Sequence, residues 1–130
     1  MYFASADAAG HGSTKLHIDV TSAINWMAWT EEPSDDNVNP DGRAGCNGNS
    51  VQSGADWIIF APEDAVTVSQ YLRTRLHLSA TDPDPIHAQQ TFVTNDMLQD
   101  LKNINVHAYQ FRQRQHQVVF IPAGAPHQVF

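Results

Sequence analysis

Apolar and polar positions alternate along Lys15–Val20. On an extended chain, Leu16, Ile18 and Val20 fall to one side and His17 and Asp19 to the other, which predicts a half-buried strand. The β-branched and aromatic content of Ala23–Trp29 predicts a second strand. The pattern then lapses. From Glu31 to about residue 55, Pro33, Asp35, Asp36, Pro40, Gly42, Gly45 and Gly48 mark a long inserted polar loop whose acidic start reads as a solvated face. Trp57–Ala61 is an apolar run of strand length. Pro62 suits the first turn of a helix, Glu63 and Asp64 suit its positive end, and Ala65, Val68, Leu72, Arg75 and Leu76 keep helical spacing to about Leu78. Asp82-Pro83-Asp84-Pro85 forces an extended connection. Thr94 is placed to cap a second helix with Met97, Leu98 and Leu101 facing inward. Asn105–Arg114 and Val118–Ile121 read as two further strands joined by a turn over 113–117. A rigid Pro/Gly turn, Pro122–Pro126, then presents His127.

Composition narrows the class. With 130 residues the chain is one domain at most, and 42% hydrophobic against 16% charged residues fits a folded chain rather than a disordered one. Its longest apolar runs are far too short to span a bilayer, and the N-terminus lacks the basic start and apolar block of a secretory signal. The single cysteine, Cys46, excludes an internal disulfide and fits a reducing compartment. A formal charge of −7 argues against direct nucleic-acid binding; it is compatible with a basic peptide partner and equally with plain solubility.

Candidate chemistry begins at His17 and Asp19. An imidazole and a carboxylate at the end of an apolar strand are two legs of a 2-His-1-carboxylate facial triad, which a distant histidine would complete. His-x-Asp alone is weak, since 7 His and 11 Asp supply such a pair by chance. His127 lies 127 − 17 = 110 residues further on, on a turn able to aim it into a barrel mouth; otherwise it is a surface residue of a C-terminal tail.

The local phrases bear on that choice. Thr14-x-x-His17-x-Asp19 followed by Ser22-Ala23-Ile24-Asn25, then Asp84-Pro85-Ile86-His87, then Val119-Phe120-Ile121-Pro122-Ala123-Gly124-Ala125-Pro126-His127-Gln128-Val129 resemble, in order, the JmjC domain of Hairless-type histone H3 lysine demethylases. The resemblance covers about Gly12 to Val129, with Glu31–Gly54 unmatched. It implies a mainly β fold with two helices, a double-stranded β-helix (a cupin-like jelly-roll barrel), here incomplete. It further implies Fe(II) held by His17, Asp19 and His127, with 2-oxoglutarate as cosubstrate and dioxygen as oxidant. The implied activity is oxidative demethylation of methylated lysine on a histone tail, and the implied location the nucleus. Thr14 matches a cosubstrate-contacting threonine of relatives, although strand parity puts it opposite His17 unless a bulge intervenes. Asn25 matches a polar cosubstrate contact and is equally a structural amide. The distal carboxylate of 2-oxoglutarate has no assigned partner, and Lys15 is expected in solvent. His87 reads as a loop-holding residue; His11, His77, His107 and His116 read as surface or packing residues.

Two departures from the pattern stand out. His116-Gln117 replaces a Gly-Asp turn, so a positive-φ position loses its glycine. Relatives also continue beyond the distal histidine with strands that close the barrel, so unpaired edges, poor stability or partner-dependent folding are expected. The chain is thus read as a partial domain, either an active oxygenase when completed or a non-catalytic chromatin-interaction module. A small-molecule cupin enzyme shares the metal chemistry but leaves the Pro-Ala-Gly-Ala-Pro-His phrase unexplained.

Overall fold

Six strands and two helices follow in the order β1 (Thr14–His17), β2 (Ala23–Trp26), β3 (Ala55–Phe60), α1 (Ala65–Arg75), α2 (Asn95–Asn103), β4 (Ala108–Gln113), β5 (Val118–Ile121) and β6 (His127–Val129). The computed structural model describes residues 14–30 and 53–130. The polar loop up to residue 52 with its acidic start, His11 and Cys46 lie outside the described residues.

The strands form two antiparallel sheets, one of order β1-β6-β3-β4 and one of β2 paired with β5. Strand β3 is central: Trp57 lies between Phe111 and Val129, and Ile59 between Tyr109 and His127. Its alternate residues serve different cores. Ile58 and Phe60 join Leu16, Val68, Leu72, Ile86 and Leu101 on the helical side, while Trp57 and Ile59 join Val119, Ile121 and Ala125 between the sheets. Burial on both faces is why Trp57–Phe60 reads as an unbroken apolar run. Each such side chain contributes roughly 1.5–3 kcal/mol relative to exposure. The protein is therefore mostly β with two helices, and a layered, jelly-roll-like pair of sheets. Among the described residues those sheets do not close: β2 and β5 stand alone, and their outer residues Ile24, Trp26, Val118 and Phe120 are 59–71% exposed.

Several expectations are corrected. The first strand ends at His17 rather than Val20, because the chain bends at Val20 and Thr21; Val20 is 95% exposed instead of inward-facing. The second strand ends at Trp26, although Met27 continues the pairing through hydrogen bonds with His116 and Gln117. Pro62–Asp64 is a 3-10 turn, and α1 stops at Arg75, three residues early, with Arg75 and Leu76 exposed. His77 there takes a left-handed φ of 55° while the Leu78 amide donates to the Arg73 carbonyl, closing the helix end. The second helix matches its reading: the Thr94 hydroxyl accepts from the Met97 amide, Leu101 is buried, and Met97 and Leu98 pack against the core. Strand β4 starts at Ala108 because Asn105, at φ 64°, turns the chain out of α2 first.

Candidate metal centre

Three elements converge at one end of the four-stranded sheet. His17 closes β1 and lies opposite His127, the first residue of β6. Asp19 sits two residues beyond β1, in the connection to β2. Its carbonyl accepts from the Gly124 amide at 3.0 Å, and the Ser22 hydroxyl accepts from the Ala123 amide at 3.2 Å. The Pro122–Pro126 turn therefore carries His127 and also pins the loop bearing Asp19. Gly124 occupies a left-handed φ of 75°, which favours glycine at that point.

The carboxylate spans the two rings, with Asp19 Oδ1 3.9 Å from His17 Nε2 and Asp19 Oδ2 3.9 Å from His127 Nε2. The imidazole centroids are 4.1 Å apart at 52°. Each histidine is tethered by its other nitrogen: His17 Nδ1 to the Lys15 carbonyl at 2.9 Å, and His127 Nδ1 to the Ala125 carbonyl at 3.0 Å. An Nδ1–H donated to a carbonyl leaves the Nε2 lone pair facing inward, as metal-binding histidines require. Burial pushes His127 below the ordinary histidine range. The Ala125 hydrogen bond opposes this, His17 adds to it and Asp19 partly offsets it, and the net effect favours the neutral, metal-competent ring.

One donor atom from each of His17, Asp19 and His127 lies within 4.8 Å of the other two. Donors bound at about 2.1 Å on one face of an octahedral ion lie about 3 Å apart, so the two 3.9 Å histidine–carboxylate separations, which run to different Asp19 oxygens, would close by about 1 Å around a shared ion. Two imidazoles and one carboxylate form the donor set suited to divalent iron and similar ions. The fit is good.

The other proposed site residues sit as follows. Thr14 pairs with Val129 and His17 with His127, so four residues on β1 lie opposite three on β6. This bulge, which parity demanded, puts Thr14 on the same face as His17. Asn25 lies opposite Val119 on the side of β2 that faces the other sheet, yet it is solvent-exposed. Lys15 is exposed. His87, in the Asp-Pro-Ile-His phrase, bonds Asp84 at 3.1 Å from an exposed position, and His77, His107 and His116 are also exposed.

A search of known families finds the JmjC domain, described as a hydroxylase, matching residues 38–130. The chain belongs to the JmjC family. Its relatives include Lysine-specific demethylase 3 of Drosophila melanogaster, 33% identical over 91% of this chain and 16% of its own length. Lysine-specific demethylase 3A-A of Xenopus laevis is 31% identical over 92% of this chain and 10% of its length, and Lysine-specific demethylase 3A of Homo sapiens is 29% identical over the same shares. This JmjC chain thus spans a tenth to a sixth of these relatives. Coverage of 91% leaves about 12 of the 130 residues outside the Drosophila match, so the shared span takes in His17 and Asp19. The family match reaches into the polar loop from residue 38, further than the resemblance in the sequence extended.

The sequence reading missed one side of the site. Trp57, 3% exposed, lays its indole against His127 with centroids 6.1 Å apart and planes 20° apart. Its Nε1–H donates to Gln113 Oε1 at 2.9 Å. Rather than opening the turn expected over 113–117, Gln113 is the last residue of β4 and 1% exposed. The signal is the alternation Tyr109, Phe111, Gln113, which continues into that residue the row paired with Ile59 and Trp57, although Tyr109 and Phe111 themselves are exposed.

Proposed function

We propose that this JmjC chain carries the metal-binding half of an Fe(II)- and 2-oxoglutarate-dependent oxygenase that demethylates lysine on a histone tail in the nucleus. The observation that carries the reading is the convergence of His17, Asp19 and His127, both imidazoles being held by backbone carbonyls with Nε2 inward. When bound, iron and 2-oxoglutarate supply the oxidising power that takes hydrogen from an N-methyl group, with dioxygen consumed and succinate, carbon dioxide and formaldehyde released.

The chain's own residues supply ligation, orientation and dryness. His127 is buried and His17 nearly so, which limits water at that side of the centre, while Asp19 stays more open. Thr14, on the ligand face beyond the bulge, is proposed to donate its hydroxyl to the cosubstrate. Asn25 is proposed as a second polar contact from the facing sheet. The −7 charge suits a basic, methylated histone tail, as do relatives named lysine-specific demethylases. The test is succinate release from 2-oxoglutarate with Fe(II) and ascorbate, in this chain and in a longer form spanning its relatives' domain. His17→Ala should abolish it in the active form; equal turnover in both proteins would sink the reading.

A second reading, a non-catalytic chromatin-interaction module, draws on one observation. Among the described residues, the paired strand positions that face between the sheets carry no Lys or Arg to pair the distal carboxylate of 2-oxoglutarate, and Lys15, in the irregular stretch of β1, is exposed. Metal uptake without turnover in the longer form would favour it.

A further inference from the structure

We infer that Gln113 is a positioning residue for the candidate metal centre, acting through the indole of Trp57 on the ring of His127; this rests on the metal-binding reading above. A single hydrogen bond from Nδ1 to the Ala125 carbonyl fixes one edge of the His127 ring and leaves the tilt of its plane open. The His17 ring, with centroids 4.1 Å apart, and the Trp57 indole, stacked at 20° to that plane, together limit the tilt. Trp57 is itself held from two directions. Phe111 lies parallel to it at 6.3 Å and 4°, and Gln113 Oε1 takes its only N–H at 2.9 Å.

The Gln113 amide has no freedom to turn over. Its Nε2 donates to the Asn25 carbonyl at 3.2 Å and to the Gln117 carbonyl at 3.0 Å, so its oxygen must face the indole. Those two carbonyls belong to β2 and to the turn leading into β5. The aim of His127 is thereby tied to the spacing of the two sheets, through Asn25 and Gln117, then Gln113, then Trp57. Burying an amide is costly unless every polar atom is paired, and here each is. An apolar residue of the same volume would fill this space without directing anything.

The test uses the 130-residue chain and Co(II) as the probe ion, because Co(II) reports by visible absorption and quenches tryptophan emission. In the wild type, Co(II) should quench the blue emission of buried Trp57, which stacks on a ligand ring, more strongly than the red emission of exposed Trp26 and Trp29. Gln113→Met, which keeps volume and loses the amide, should bind Co(II) about tenfold more weakly and shift the Co(II) absorption band. Trp57→Phe keeps a ring beside His127 but loses the N–H and should weaken binding in the same direction. Far-ultraviolet circular dichroism confirms that each variant is folded, and should Gln113→Met not fold, Trp57→Phe and the wild-type quenching decide. Folded variants with wild-type affinity and absorption, or Co(II) binding without quenching of the blue emission, overturn the inference. A wild type that takes up no Co(II), or binds it as well after His127→Ala, overturns the metal-binding reading instead.

Discussion

Gln128 follows His127 and is fully buried, its side chain turned to the helical side of the sheet. Its Oε1 accepts from the Val93 amide at 2.7 Å and its Nε2 donates to the Val93 carbonyl at 2.9 Å, so one amide satisfies both polar groups of a buried residue. Replacing it by Met keeps the volume and strands those two backbone groups. Each buried unsatisfied group costs about 1–3 kcal/mol, so Gln128→Met should destabilise the fold by about 2–5 kcal/mol after partial relaxation. At about 2.1 cal/mol/K of unfolding entropy per residue, the 130-residue chain loses about 4 °C of Tm per kcal/mol, and the expected drop is about 7–18 °C. Urea denaturation followed by tryptophan emission measures the same change as a shift in midpoint at constant slope, provided the transition is two-state. Because Leu16 donates its amide to the Thr91 carbonyl, loosening residues 91–93 should also free β1. A stability within about 0.5 kcal/mol of wild type would refute the claim that this amide is what satisfies the buried N–H and C=O of Val93.

Gly54→Ala would place a Cβ 2.4 Å from the Gln113 carbonyl oxygen, a backbone atom, and should cost about 1–3 kcal/mol in urea melts; a neutral result would mean that β3 and β4 can separate there freely. His116 holds φ 65° in the turn before β5, so His116→Gly should raise the stability in urea melts by about 0.5–1 kcal/mol, and a lowered stability would rule out strain at that turn. Partial burial raises the Asp84 carboxyl, but donors from Ser69, the His87 amide and ring, and the Ile86 amide outweigh it and hold the pKa at about 2. A folded pKa below the unfolded 3.8 means stability present above pH 3.8 and lost as pH falls through about 2. Asp84→Asn should therefore be destabilised by roughly 1 kcal/mol at pH 6, with the gap to wild type narrowing between pH 4 and pH 2; a pH-independent gap would refute the assignment.

The sequence alone determined the local parts of this protein. Alternation and apolar runs place the strands, Thr94 announces its helix, and the phrases around His17, Asp19 and His127 point to the JmjC family without any geometry. These features were legible because each depends on residues a few positions apart. Only the tertiary structure decided that Thr14 shares a face with His17, since a bulge is a property of pairing between β1 and β6. The same holds for Gln113, whose burial follows from the approach of β2 and the 114–117 turn, and for Gln128, whose amide answers a backbone 35 residues away. A polar side chain looks alike in sequence whether it ends in water or closes a hydrogen bond between two sheets. What separates the outcomes is the arrival of a distant carbonyl or amide, which is set by the packing of the whole chain.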